Sequence, residues 1–284
     1  MINLMVRNLK LYFRDRNAVF FSLLGVFVII TLYLVFLGDV WSSNYPDVVG
    51  MRFAMDSWIM AGVLAITSFT TTMGAVGTMV VDKTKKINKD FVASPLSHSS
   101  MTGGYILSTI VVGIIMSLVA LVVAEIFIVI KGGSLLSLLD FFKLFGLILL
   151  ATVANSAIVV FIVSFFDTLN SFGTASTLVG TLIGFLTGIY LPIGVFPPTV
   201  QWVIKLFPPS HAASLMRQVM MRAPVQKVFA GAPQKLLTDF KLQMGMELSF
   251  GNQIISPSIS ILILVGTAIV FYLLALWNLS RKKN

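Results

Sequence analysis

Apolar and polar positions alternate along this chain in long blocks rather than residue by residue. The uncharged runs Asn17–Gly38, Ser57–Val81, Met101–Ala124, Leu144–Phe166, Thr168–Ile204 and Leu248–Ser280 all reach the roughly 20 residues that a membrane-spanning helix needs. They predict spans near Ala18–Leu37, Ser57–Val80, Met101–Ile130, Asp140–Phe166, Ser171–Leu191 and Ser258–Trp277. A transmembrane β-barrel is written in short alternating segments, and these runs do not alternate. The expected fold class is an all-α membrane protein, with one transmembrane domain occupying residues 1–284.

The stretches between the blocks have patterns of their own. In the first sixteen residues Ile2, Met5, Val6, Leu9, Tyr12 and Phe13 recur at helical spacing, with Asn3, Arg7, Lys10 and Arg14 on the other side. This predicts an amphipathic helix over residues 1–16, lying in the interface with Arg7, Lys10 and Arg14 toward lipid headgroups. Either a simple anchor or a contact with a partner protein would use such a helix. The first apolar run reads as a span rather than a cleavable leader, because no small-x-small site follows it. Between the fifth and sixth spans, residues 192–257 hold two proline-bounded pieces. Pro198 opens a short helix, Thr199–Phe207, since proline suits a first helical turn. Pro208 and Pro209 stop it, and Ser210 caps a second helix, His211–Arg222. Both are too short to span and too apolar for bulk water, which predicts a re-entrant or interfacial hairpin. The more polar sequence after it reads as a loop or small lid.

Charge then chooses the orientation. The chain is 57% apolar and 11% charged, far below the roughly 25% charged residues of a soluble domain. Arg7, Lys10, Arg14 and Arg16 precede the first span, Lys83, Lys85, Lys86 and Lys89 lie between the second and third, and Arg281, Lys282 and Lys283 end the chain. The short loops opposite hold only Arg52, Lys131 and Lys143. Positive charge stays in the cytoplasm, so both termini and residues 82–100 are expected inside and residues 192–257 outside. The net charge of +9 sits beside the spans, which favours anionic lipid over nucleic acid as its counter-charge.

Motifs for chemistry are missing. There is no cysteine, no G-x-x-x-x-G-K-[ST] phosphate loop, no H-E-x-x-H and no G-x-S-x-G elbow. His98 and His211, the two histidines, fall on opposite sides of the membrane and cannot share a metal. No catalytic residue, metal or cofactor is expected in this chain. Glu125 is the acid inside an apolar run. Such groups are functional candidates, although its spacing to Lys131 favours an interfacial pair. Asn155 suits a hydrogen bond across helices. The second span carries Thr67, Ser68, Thr70, Thr71 and Thr72. The fifth carries Thr174, Ser176, Thr177, Thr181 and Thr187 among Gly173, Gly180, Gly184 and Gly188. Close helix packing, within one chain or between two, explains both runs. A mildly polar wall of a translocation path, centred on Thr67, Thr71, Thr174, Thr177 and Thr181, is the functional alternative. The Gly180, Gly184, Gly188 spacing favours a packed seam.

Two stretches, "KDFVASPLSHSSMTGGYIL" (89–107) and "GIYLPIGVFPPTVQWVIKLFPPSHAASLMRQ" (188–218), carry a resemblance. With the six-span layout they resemble the type-2 permease subunits of ABC exporters, among them drug-resistance permeases of the daunorubicin kind and polysaccharide-export permeases. Where such permeases often have an Arg-Glu-Gly run, this chain has "DKTKKIN". The resemblance implies a bacterial cell-membrane efflux permease, of a kind associated with antibiotic resistance. It further implies a coupling helix in 82–100 that docks on a cytoplasmic ABC ATPase. Two ATPase copies would carry ATP and magnesium, and a second permease copy would form a homodimer through spans one and five. Ile87, Lys89, Asp90, Phe91, Ser94, Pro95 and Leu96 would then be the coupling residues. Phe91 would be the apolar knob in a polar rim that small interfaces favour. Pro192, Phe196, Pro197 and Trp202 would shape an external gate. An amphipathic or lipid-like cargo is expected. An ion-coupled secondary transporter would need midplane acids and inverted repeats, which are not seen. A non-transporting scaffold or sensor is the other alternative.

Overall fold

A computed structural model describes residues 1–33, 48, 50–87, 98–251 and 253–281. Among them the chain is almost wholly helical. α1 (Ile2–Arg14) and α2 (Arg16–Leu32) are followed by α3 (Met51–Thr84), α4 (His98–Ile130), α5 (Leu138–Val163) and α6 (Leu169–Leu186). After a 3-10 turn (Ile193–Val195) come four short helices: α7 (Pro198–Leu206), α8 (Pro208–Met220), α9 (Arg222–Val228) and α10 (Gln234–Gln243). A two-stranded ribbon, β1 (Ser249–Phe250) against β2 (Gln253–Ile254), leads into α11 (Pro257–Arg281).

Five described helices, α3, α4, α5, α6 and α11, are long and apolar enough to cross a membrane. The chain is a multi-pass membrane protein. The remaining expected span corresponds to α2, shorter over its described residues; Leu34–Leu37 lie outside them. The helix ends alternate. Lys83 at the end of α3 meets Asp167 after α5 at 3.7 Å, and Asn278 late in α11 donates to Ser164 at 2.6 Å. These ends share one side with α1, here called the loop side. The start of α3 meets α8 and the turn after α10, which define the opposite, hairpin side.

Local chemistry sets several boundaries. Ser137 caps α5 by accepting from the Asp140 N–H at 3.1 Å, and Thr168 caps α6 by accepting from Ser171 at 3.2 Å, each satisfying an otherwise orphan donor. Pro198 and Pro208 open α7 and α8, where a missing N–H costs nothing. Both expected helices form, displaced by one to three residues, but the Ser210 cap is corrected: Ser210 lies inside the first turn of α8 and donates to the Leu186 carbonyl at 2.6 Å. α3 begins six residues earlier than the uncharged run predicted, because Asp56 lies inside the helix, buried next to Tyr33.

α3 is the axis of the core. It is flanked by α4, α5, α8, α2 and α6, and 89% of its most apolar window is buried. α6 is the opposite case, with 11% of its window buried. It rests on α3 through Phe172, whose ring lies over Gly77, and Val179. Asn155 donates to Ser68 at 2.7 Å, joining α5 to α3 as a cross-helix bond. The Gly180, Gly184, Gly188 seam is corrected. A Cβ at Gly184 would collide with the Tyr190 ring of the same chain. Gly188 lies past the helix at φ +66°, the left-handed cap position that glycine fills without strain. Only Gly180 of the three keeps an open face.

Candidate functional site

The loop side carries a buried polar cluster. α3 has 34 residues, so at about 1.5 Å each it is about 51 Å long, against about 30 Å of hydrocarbon. A helix of that length has turns to spare beyond the apolar layer, and Asp82 lies near its loop-side end with its side chain 3% exposed. Arg7 of α1 grips it in a two-pronged pair at 2.7 and 2.9 Å. Tyr105 of α4 donates to the same carboxylate at 2.6 Å. Beside this, Asn8 donates to Ser108 at 3.3 Å, and Leu4 lies against Gly104, where a Cβ would come within 2.9 Å. The carboxylate raises the Arg7 pKa further, so the guanidinium stays charged.

The expected direction of Arg7 is therefore corrected. It faces a protein carboxylate rather than headgroups, because Leu4, Asn8 and Tyr12 form the buried stripe of α1 and Arg7 flanks that stripe. Lys10 and Arg14 are exposed. The cluster stands at the roots of both helices that bracket residues 85–97. Lys85 and Lys86 leave α3 in a sharp turn, with Lys86 at φ +61°, and Ile87 is half-buried. Lys89, Asp90, Phe91, Ser94, Pro95 and Leu96 lie outside the described residues.

The expected path residues occupy two unlike environments. Thr67 and Thr71 are fully buried within α3, donating to Val63 and Thr67 carbonyls at 2.7 and 2.6 Å. Thr174, Thr177 and Thr181 are exposed on α6 and donate to carbonyls four residues back at 2.9–3.0 Å. Glu125 accepts from the Leu136 N–H at 3.1 Å, fastening the turn between α4 and α5.

On the hairpin side α8 is the keystone. Arg217 is fully buried and donates to the carbonyls of Thr187 and Gly188 at 3.1 and 2.8 Å, where the chain leaves α6. Its guanidinium lies 5.1 Å from the Trp58 ring of α3, within cation–π range. Burial pushes its pKa down to about 9. His211 bridges Ser260 of α11 and the Lys205 carbonyl at 3.0 and 2.9 Å. Since a carbonyl only accepts, Nε2 carries the proton and Nδ1 accepts from Ser260. Burial lowers the His211 pKa below its ordinary value.

The expected gate residues gather near the ribbon. Phe196 packs on a cluster of Ile193, Ile204, Leu248 and Ile255, and the half-exposed Trp202 ring lies 5.0 Å from Phe250. Pro192 is buried before the 3-10 turn and Pro197 is exposed before α7. Two features carried no readable sequence signal, the Arg7–Asp82 pair and the Arg217 grip, since their partners are distant in sequence. Among the described residues no group of three acidic or histidine side chains could hold a metal.

Residues 42–277 match the model of the family described as ABC-2 family transporter protein. The match begins after α2, so Arg7 lies outside it. No curated protein matches the chain.

Proposed function

This chain belongs to the ABC-2 family of transporter proteins, and from that premise we propose that it is the permease of an exporter driven by a separate cytoplasmic ATPase. The loop side is cytoplasmic, because the basic residues of α1, of residues 83–89 and of the C-terminus gather there. Two ATPase subunits, binding ATP and magnesium, dock on residues 82–100 through Ile87, Lys89, Asp90, Phe91, Ser94, Pro95 and Leu96. A second copy of the chain packs on α6, and the pair encloses a path bordered by Thr174, Thr177 and Thr181. Pro192, Phe196, Pro197 and Trp202 shape its outer exit. The cargo is amphipathic or lipid-like, a drug, peptide or lipid, and leaves the cell of a bacterium.

The observation that carries this reading is the Arg7–Asp82–Tyr105 cluster. A loop that only sets topology has no use for a buried ion pair binding three helices at its root. A loop that receives force has, because the docking segment must not swing independently of α3 and α4. Closure of the ATPases on their nucleotides would push this joined end as one body and tilt the long helices, shifting access from one side to the other.

The test is Phe91→Asp. The variant should reach the membrane in normal amount, fail to co-purify with its ATPase and lose nucleotide-driven export. Normal export by that variant would remove the coupling assignment.

A further inference from the structure

The hairpin side contains a cavity of about 470 Å³ framed by α8, α9, α10 and the turn after α10, within the size range of small-molecule sites. Its wall divides chemically. Val225, Phe229, Leu237 and Met246 form an apolar side, stiffened by the Phe229 ring packed at a tilt on Phe240, 4.8 Å between centroids. Arg222, Lys241, Gln218, Gln226 and Glu247 form a polar side.

The polar side has more donors than acceptors. Glu247 accepts from Lys241 at 3.0 Å, which engages one of the three N–H groups of that ammonium. Arg222 approaches a carboxylate, Asp140, only to 3.9 Å, beyond hydrogen-bond length. Gln218 donates to the Met246 carbonyl at 2.8 Å, closing the base. The lining itself holds two cations and one carboxylate, and Asp140 beside it lies near enough to Arg222 to offset part of that charge without filling its donors. The surrounding segment agrees, since residues 192–257 hold Lys205, Arg217, Arg222, Lys227, Lys235 and Lys241 but only Asp239 and Glu247. Topology does not demand that excess on the side opposite the basic termini. Position narrows the ligand further. Asp140 opens α5, and beside it Leu138, Leu139 and Phe142 are strongly exposed, so Arg222 stands where the apolar belt meets water.

We infer that this cavity binds the phosphoryl group of a small amphipathic molecule, with Arg222 and Lys241 on the anion and Phe229 and Leu237 on its apolar part. An arginine fork and a lysine suit phosphate oxygens. The molecule is either a bilayer phospholipid reached from the outer leaflet or a soluble phosphate compound. The inference does not depend on ATP coupling.

Binding to the purified full chain in detergent decides it, with three probes: dihexanoyl phosphatidylglycerol, dihexanoyl phosphatidylcholine and inorganic phosphate. The phosphatidylglycerol probe should bind, and Arg222→Gln and Lys241→Gln should each weaken it roughly tenfold, the size of one lost charge-assisted bond. Gln226→Trp, which fills the rim and leaves both cations in place, should weaken it similarly, so a folding defect in one variant does not decide the matter. Displacement of the probe by millimolar phosphate would support the soluble source; failure to displace it would support the lipid. Phosphatidylcholine, which carries the same phosphoryl group, should bind as well; binding of none of the three probes, or binding unchanged in all three variants, would overturn the proposal.

Discussion

α3 and α6 have nearly the same vocabulary, threonines, serines and glycines in an apolar helix, yet one is the most enclosed helix of the bundle and the other the least. Thr67, Thr71 and Thr72 on α3 and Thr174, Thr177 and Thr181 on α6 all bond to carbonyls of their own helix. That arrangement removes the cost of a polar group in an apolar medium, so hydroxyls are tolerated equally at the centre and in lipid. Neighbours make the difference. α3 receives Asn155 on Ser68 and the faces of several helices. α6 is held mainly by α3 and, at its hairpin end, by Arg217. Small polar residues therefore mark where a helix can be approached closely, and not by whom.

The largest contrast expected is chemical. The chain has no cysteine, so single cysteines can be placed cleanly. Leu178→Cys on the open face of α6 should form a disulfide between two copies in native membranes, whereas Ala65→Cys, buried in α3, should form none. Absence of the Leu178→Cys dimer would detach the second copy from α6. Next comes packing. A Cβ at Gly113 would come within 2.6 Å of Thr152 and 2.7 Å of Thr72, where α3, α4 and α5 meet. Gly113→Leu should lower stability by about 3 kcal/mol or more, the upper range for overpacking, while Gly180→Leu, with open space around it, should change it little. Thermal unfolding in detergent compares them.

The loop-side anchor of α3 gives a smaller effect. Arg7→Gln should cost about 2 kcal/mol, below the usual 3–5 for a broken buried pair because Arg7 is a third exposed. Adding Asp82→Asn should then cost little more, since the two residues act as one unit. Additive losses would show that the pair does not clamp α1. The smallest effect concerns the hairpin anchor. Burial lowers the His211 pKa, so between that value and about 6.5 the unfolded chain takes a proton the folded chain refuses. Stability is complete above about pH 6.5 and falls below it, by at most about 1.4 kcal/mol at pH 5.5. His211→Gln should flatten that slope in unfolding measurements.

Much of the architecture was legible because lipid imposes one rule on every span, a sufficient apolar length. The prolines at 198 and 208 likewise announced the hairpin, since a fixed φ and a missing donor act locally. Failures came where one residue answers to a distant one. Asp56 broke an uncharged run and read as loop, although Tyr33 lies beside it in the fold. Asp82 read as the first charge of a solvated loop, although Arg7, 75 positions earlier, encloses it. Gly184 read as part of a seam until Tyr190 folded back onto it. α9 and α10 were foreseen only as a loop or lid, their polar sequences giving no strong period. The candidate coupling residues from Lys89 to Leu96 are legible by resemblance alone.

One consequence of the self-bonded threonines on α6 concerns fidelity of assembly. With Thr174, Thr177 and Thr181 already satisfied, that face offers an incoming helix contour but no donor to recognise. A sister protein sharing the same rhythm of small and bulky side chains would fit as well as an identical copy. Choosing between self and sister would fall to parts of the molecule outside the bilayer.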